Sequence, residues 1–129
     1  MGQGFFKASY FNDLSKVEFS DEQRNAIDKQ IQAEPVMVYS KKYCPHCVAA
    51  KDLLKKSGVQ NVKIRDINQE EDGLQTQAIL FAKTGQKTVP NIFIGGNHIG
   101  GNSELQKLAK SGGLKPMLEN HGIGHSIPN

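Results

Sequence analysis

Two cysteines, two arginines and no tryptophan in 129 residues already narrow the field. Two cysteines cannot build the disulfide framework that small secreted domains use in place of a large core. No apolar run approaches the roughly 20 residues of a membrane-spanning helix, so no membrane partner is expected. Arg24 and Arg65 lie far apart, the net charge is only +3 and no five like charges are consecutive. The basic stripe with interleaved aromatics that marks a nucleic-acid surface is therefore missing, and no nucleic-acid partner is expected. The opening MGQGFFKASYFNDL has no charged leader followed by an apolar segment and a cleavage site, which makes the cytoplasm the expected location. A lipidation motif begun by Met1-Gly2 fails at Phe6, where Ser or Thr is required.

What is present is a chain of single-domain size, 37% apolar and 22% charged. Residues 1–19 hold five of the nine aromatics (Phe5, Phe6, Tyr10, Phe11 and Phe19) without periodicity. They read as an arm, either packing its rings on the domain or staying mobile, or else serving as a partner or targeting segment. The domain is expected over residues 20–119. A Gly-rich C-terminal tail over 120–129, with His121 and His125, is expected to be flexible.

Within the domain, Ser20 and Gln23 form a capping box ahead of Ile27 and Ile31, which predicts an amphipathic helix ending before Pro35. Val36-Met37-Val38-Tyr39 reads as a strand buried on both faces. A second helix starts at Pro45, with Val48, Ala49, Leu53 and Leu54 as its apolar stripe, and Gly58 ends it. Val62 to Ile67 alternates with period two, which completes a right-handed βαβ unit. Residues 70–84 read as a helix with Leu74, Ala78, Phe81 and Ala82 on one face, weakened by Gly73 near its start. Asn91 to Ile94 and His98-Ile99 form a hairpin around Gly95-Gly96-Asn97. Asn102 or Ser103 caps a last long helix carrying Leu105, Leu108 and Ala109, and a short turn follows at Leu114 to Leu118. Leu53, Leu54, Phe81, Ile92 and Ile94 are expected in the core. The glycines at 95, 96, 100 and 101 lack the Lys-Ser or Lys-Thr of a phosphate loop, so they mark turns and close backbone approach.

Specific chemistry is concentrated in Cys44-Pro45-His46-Cys47, between a buried strand and a helix. At a helix N-terminus, unpaired N–H groups and the macrodipole stabilise a thiolate, which makes Cys44 the candidate nucleophile. Cys47, one turn further in, is the candidate resolving thiol. His46, Lys41 and Lys42 add positive charge nearby. Rival readings are inert core cysteines, a structural disulfide, which at this spacing cross-links almost nothing, and a zinc site. The last would need His121 and His125, but 73 residues lie between Cys47 and His121, against about 12 to 15 in a finger. No metal is expected.

Four blocks in order, Tyr39-Ser40-Lys41-Lys42-Tyr43-Cys44-Pro45-His46-Cys47, Gln77, Thr88-Val89-Pro90 and Gly100-Gly101-Asn102-Ser103, resemble a dithiol glutaredoxin over residues 20–119. The resemblance implies an α/β fold of the thioredoxin-like kind, three layers α/β/α around a central four-stranded mixed sheet. It implies an enzyme using glutathione as co-substrate to reduce glutathionylated or disulfide-bonded proteins through Cys44 and Cys47. Its implied glutathione site places Lys41, Gln77 and Lys87 near the glycine carboxylate, with His46 beside the thiols. Thr88, Val89 and a cis Pro90 would meet the cysteine backbone, and Gly101, Asn102 and Ser103 the γ-glutamyl end. Two positions depart from the pattern: His46 stands where the family more often has Tyr, and Glu104 where Asp is common. Pro-His between the cysteines is similar to a strongly oxidising periplasmic relative, whose long helical insertion is absent here. A monomer is the default expectation. Two alternatives are a dimer holding a glutathione-ligated [2Fe-2S] cluster through Cys44, disfavoured by Pro45, and a thioredoxin-type reductase, disfavoured by the missing Trp-Cys-Gly-Pro-Cys signature.

Overall fold

Residues 13–129 are described by a computed structural model of the chain. Phe5, Phe6, Tyr10, Phe11 and Gly2 lie outside the described residues. After a 3₁₀ turn at Leu14–Lys16 the order is α1 (Asp21–Ala33), β1 (Val36–Ser40), α2 (Pro45–Lys56) and β2 (Val62–Asp66). A second 3₁₀ turn (Ile67–Gln69) leads to α3 (Gly73–Thr84), and β3 (Asn91–Ile94), β4 (Asn97–Gly100), α4 (Asn102–Lys110) and α5 (Leu114–Asn120) complete the regular elements among the described residues. The strands form one mixed sheet in the order β2-β1-β3-β4. Strand β1 runs parallel to β2, with Ser40 opposite Asp66, and antiparallel to β3, which pairs antiparallel with β4.

Strand alternation sorts the core into two halves. Val36, Val38, Ile92 and Ile94 face Ala50 and Leu54 of α2, Leu105 of α4, and Leu114 and Leu118 of α5. Met37, Tyr39 and Phe93 face Ile27 and Ile31 of α1, Ile67, and Ile79 and Leu80 of α3. The result is the three-layer α/β/α architecture expected of the fold, with β1 buried at all five positions. Each fully buried Leu, Ile or Phe contributes about 1.5 to 3 kcal/mol relative to exposure. Among the described residues, no helix is long and apolar enough to cross a membrane.

The capping box is formed: Ser20 Oγ accepts the Gln23 N–H at 3.0 Å and Gln23 Oε1 accepts the Ser20 N–H at 2.9 Å. Other expectations need correction. On α2 the buried stripe is Cys47, Ala50 and Leu54 rather than one through Val48, which is 49% exposed. Helix α3 is covered twice: Ile79 and Leu80 meet the sheet, while Ala78, Leu74 and Phe81 meet Leu14 and Val17 of the N-terminal 3₁₀ turn. Phe81 and Leu53 are only partly buried. Gly101, not Asn102 or Ser103, caps α4, and Glu104 Oε1 accepts its N–H at 2.7 Å. Asn102 Oδ1 is instead taken by Gln106 Nε2 at 3.1 Å.

The residues after α5, expected to form a loose tail, are docked on the body. Ile123 is buried, Gly124 O accepts the Gln60 N–H at 2.9 Å and Ser57 O accepts the Ser126 N–H at 2.9 Å. The apolar Ile123 and Ile127 outweigh the glycines here by packing on the α2 side of the core. His125 pairs with Glu119 at 3.1 Å and His121 with Asn97 at 3.2 Å, so neither histidine is directed at the cysteines.

Candidate active site

The turn between β1 and α2 places both sulfurs. Cys44 is the N-cap of α2, Pro45 supplies the first-turn residue that needs no N–H, and Cys44 Sγ accepts the Cys47 N–H at 3.4 Å. Both cysteines are free thiols, Cys44 partly exposed and Cys47 fully buried. Burial pushes the Cys44 thiol up, but hydrogen bonds from the Cys47 side chain and from the backbone N–H groups of Cys47 and His46, with the nearby Lys41 charge, bring it below its ordinary 9.0. Burial pushes Cys47 the other way, above 9.0, reinforced by its hydrogen bond to Cys44 and opposed by the Lys41 N–H, which reaches its Sγ at 3.4 Å. One thiol is thus activated and the other restrained, separated by one helical turn.

Alkylation by iodoacetamide should reflect this split. It follows the thiolate, so the rate at Cys44 should rise along a titration with its midpoint below 9.0. In Cys44→Ser, Cys47 should stay unreactive until above that value, and equal midpoints for the two would contradict the geometry.

His46 contributes its backbone N–H to Cys44, while its ring is exposed. Lys42 stands with its ammonium 5.4 Å from the Tyr43 ring centroid, and Tyr43 is 84% exposed at φ 72°. This unusual backbone is pinned by a residue that sequence reasoning missed. Asn68 Oδ1 accepts the Lys42 N–H at 2.9 Å and Asn68 Nδ2 donates to Lys42 O at 3.3 Å. With 26 positions separating Lys42 from Asn68, no local pattern signals that clamp.

Lys41 and Gln77 line one cleft of about 260 Å³ with Asn68, Glu70, Glu71 and Gly73. Gln77 Nε2 donates to Lys87 O at 2.7 Å, tying the cleft to the next loop, and the Lys87 ammonium lies 5.6 Å from the Phe81 ring centroid. In that loop Thr88 is exposed, Val89 partly buried, and the Val89–Pro90 bond is cis. Gln86, also unforeseen, holds it: its Nε2 donates to Thr88 O at 3.0 Å and to Pro90 O at 2.9 Å. Gly101 approaches the same point, since a Cβ there would lie 3.5 Å from Pro90 O. Asn102 is occupied by Gln106, and Ser103 is exposed at the start of α4. The candidate residues therefore fall into two linked groups, Lys41, Gln77 and Lys87 on one side and Thr88 to Pro90 with Gly101 on the other. Among the described residues, no three His, Cys, Asp or Glu side chains are gathered as a metal site requires.

A family model described as Glutaredoxin matches residues 36–99. Glutaredoxin-C2 of Arabidopsis thaliana is 48% identical over 92 residues, 71% of this chain and 82% of the relative. Glutaredoxin-2 of Schizosaccharomyces pombe is 45% identical over 92 residues, 71% of this chain and 83% of the relative. Among solved structures, a buckwheat glutaredoxin-glutathione complex superposes with a TM-score of 0.75 at 37% identity, covering 81% of this chain and 97% of that one.

Proposed function

The chain belongs to the glutaredoxin family of thiol-disulfide oxidoreductases, and from that premise we propose that it reduces glutathionylated proteins and disulfides at the expense of glutathione. The observation that carries this reading is the placement of Cys44 as N-cap of α2, its sulfur receiving N–H groups while Cys47 lies buried one turn behind. The Cys44 thiolate attacks the glutathione sulfur of a mixed disulfide, a Cys44–glutathione bond forms, and the substrate sulfur leaves as a thiolate and takes up a proton. A second glutathione attacks the sulfur of the bound one, releasing oxidised glutathione and the Cys44 thiolate. With protein disulfides, Cys44 attacks one sulfur of the bond and is joined to the partner, Cys47 then attacks Cys44 Sγ and releases the reduced partner, and two glutathiones later reduce the Cys44–Cys47 bond.

Glutathione binding is supported by the two residue groups. Lys41, Gln77 and Lys87 suit the glycine carboxylate by charge and amide donors. The backbone of Val89 before Pro90 suits a short strand-like pairing with the cysteine. Gly101, Asn102 and Ser103 open α4, whose N-terminus suits the γ-glutamyl carboxylate through the N–H groups of Asn102 and Ser103, the Gly101 N–H being taken by Glu104. The buckwheat relative was solved with glutathione, which is in keeping with this site.

The test is reduction of a glutathionylated peptide by glutathione, followed through glutathione reductase and NADPH. Turnover that saturates in the peptide is expected. A folded protein with free thiols and no turnover would overturn the reading. The same preparation should be colourless, because a bound [2Fe-2S] cluster would absorb strongly in the visible.

A further inference from the structure

The loop that leads from α3 into β3 is tied down on both sides of one residue. Helix α3 ends at Gly85, whose φ of 80° turns the chain. The Gln86 N–H then donates to Thr84 Oγ1 at 3.1 Å, and that hydroxyl donates to Leu80 O at 2.8 Å, so the Gln86 backbone is fixed to the last turn of the helix. Its side chain reaches forward over the loop. A carboxamide nitrogen carries two N–H groups, and here both are committed. Gln86 Nε2 donates to Thr88 O at 3.0 Å and to Pro90 O at 2.9 Å, the carbonyls on either side of Val89. Gln77 Nε2 holds Lys87 O at 2.7 Å from α3, and the Val89 side chain packs on the half of the core between the sheet and α1 and α3. Among residues 87–90, Val89 alone makes no backbone hydrogen bond with the described residues. A backbone left open at one residue and fixed around it can take one residue of an extended peptide as a short added strand. The same amide borders the other half of the candidate site. A Cβ at Gly101, the cap of α4, would lie 3.7 Å from Gln86 Nε2 and 3.5 Å from Pro90 O.

We propose that Gln86 is a positioning residue that makes the protein select glutathione over small thiols without a peptide backbone, by holding the Val89 N–H and C=O in the orientation that pairs with the glutathione cysteine. The proposal rests on the glutathione reading above. Glutathione brings an N–H and a C=O to Val89, whereas 2-mercaptoethanol brings neither, so the preference for glutathione depends on how well Val89 is presented. Without the Gln86 amide, Thr88 O and Pro90 O turn to water, and pairing with Val89 must then bear the cost of ordering the loop. The reacting sulfur is held elsewhere. Cys44 Sγ accepts the Cys47 N–H at 3.4 Å within the first turn of α2, and none of the Gln86 hydrogen bonds reaches that turn. Gln86 therefore acts on which disulfide is attacked and leaves the attacking thiolate as it is.

The experiment mixes the reduced full chain with one peptide carrying either glutathione or 2-mercaptoethanol as a mixed disulfide, and reads the initial rate at which that disulfide is lost. Wild type, Gln86→Met and Gln86→Glu are compared, each checked for a cooperative unfolding transition. Methionine keeps the length without donors or charge, and glutamate keeps the shape but only accepts. Both variants should react about tenfold more slowly with the glutathionylated peptide, as expected when two hydrogen bonds that order a binding segment are lost. Their rates with the 2-mercaptoethanol peptide should stay within about twofold of wild type, and the midpoint of Cys44 alkylation should not move. A parallel fall with both peptides would mean general distortion of the site and would overturn the assignment. So would a preference kept by Gln86→Met and lost only by Gln86→Glu, which would trace the effect to repulsion of the glutathione carboxylates. Should Gln86→Met fail to fold, an unchanged preference in Gln86→Glu overturns the proposal by itself. Equal rates with the two peptides in wild type would overturn the glutathione reading, and the role of Gln86 with it.

Discussion

Replacing Cys44 with serine should lower glutathione-dependent reduction of a glutathionylated peptide by a factor on the order of a thousand or more, while Cys47→Ser keeps that activity within a few-fold. The asymmetry follows from where the sulfurs sit. Cys44 offers a partly exposed sulfur that accepts N–H groups of the first helical turn, an arrangement that holds negative charge. A serine hydroxyl in the same place stays protonated near neutral pH and forms no disulfide. Cys47 cannot stand in, because its sulfur is fully buried and its thiol is restrained. The steady-state assay under "Proposed function" decides the matter. Substantial activity in Cys44→Ser would place the attacking sulfur at Cys47 and invert the assignment. Loss of activity in Cys47→Ser with a glutathionylated peptide would make the two-cysteine route obligatory.

How much of this was legible in the sequence depends on whether the determining contacts are local. The capping box is complete within four residues, and Ser20 and Gln23 form it as read. The dithiol turn is also local: a helix beginning at Pro45 puts Cys44 at the cap and Cys47 one turn inside, whatever surrounds it. The two-residue hairpin turn, with positive φ at Gly95 and Gly96, belongs to the same class. Legibility ends where a partner comes from elsewhere in the chain. Val48 looked like part of an apolar stripe because period alone cannot say which side of α2 meets the sheet. The second covered face of α3 depends on Leu14 and Val17, some 60 residues upstream. Arg65, which no local motif marks, joins Glu70, Gln30 and Thr76 beneath α1 and α3, with Gln30 35 residues away. Asn68 and Gln86 are the instructive cases for function. Neither bears reactive chemistry, yet one fixes the backbone ahead of Cys44 and the other the loop containing Pro90.

Gly73 joins the two kinds of information. In the sequence it weakened the third helix, because glycine costs up to about 1 kcal/mol against alanine within a helix. By that reasoning Gly73→Ala should stabilise. The structure reverses the sign. A Cβ at Gly73 would lie 1.7 Å from Ile67 O, a backbone atom held by the Glu70 N–H at 3.2 Å, so the 3₁₀ turn itself must move. Overpacking of this kind costs roughly 1 to 3 kcal/mol or more, which outweighs the helix gain. Gly73→Ala should therefore lower stability by about 2 kcal/mol, a fall in Tm of several degrees for a domain of this size. The displacement should also reach the active site. The turn that Gly73 presses on contains Asn68, whose two hydrogen bonds position Lys42, so Cys44 alkylation should titrate closer to 9.0 in the variant. Gly85→Ala separates crowding from backbone conformation: nothing lies within 4 Å of its added Cβ, but φ is +80°, so it should lose stability and leave the Cys44 titration in place. A Gly73→Ala protein as stable as wild type would mean that Ile67 and the head of α3 do not approach so closely, and the route from that turn to the reactive sulfur would fall with it.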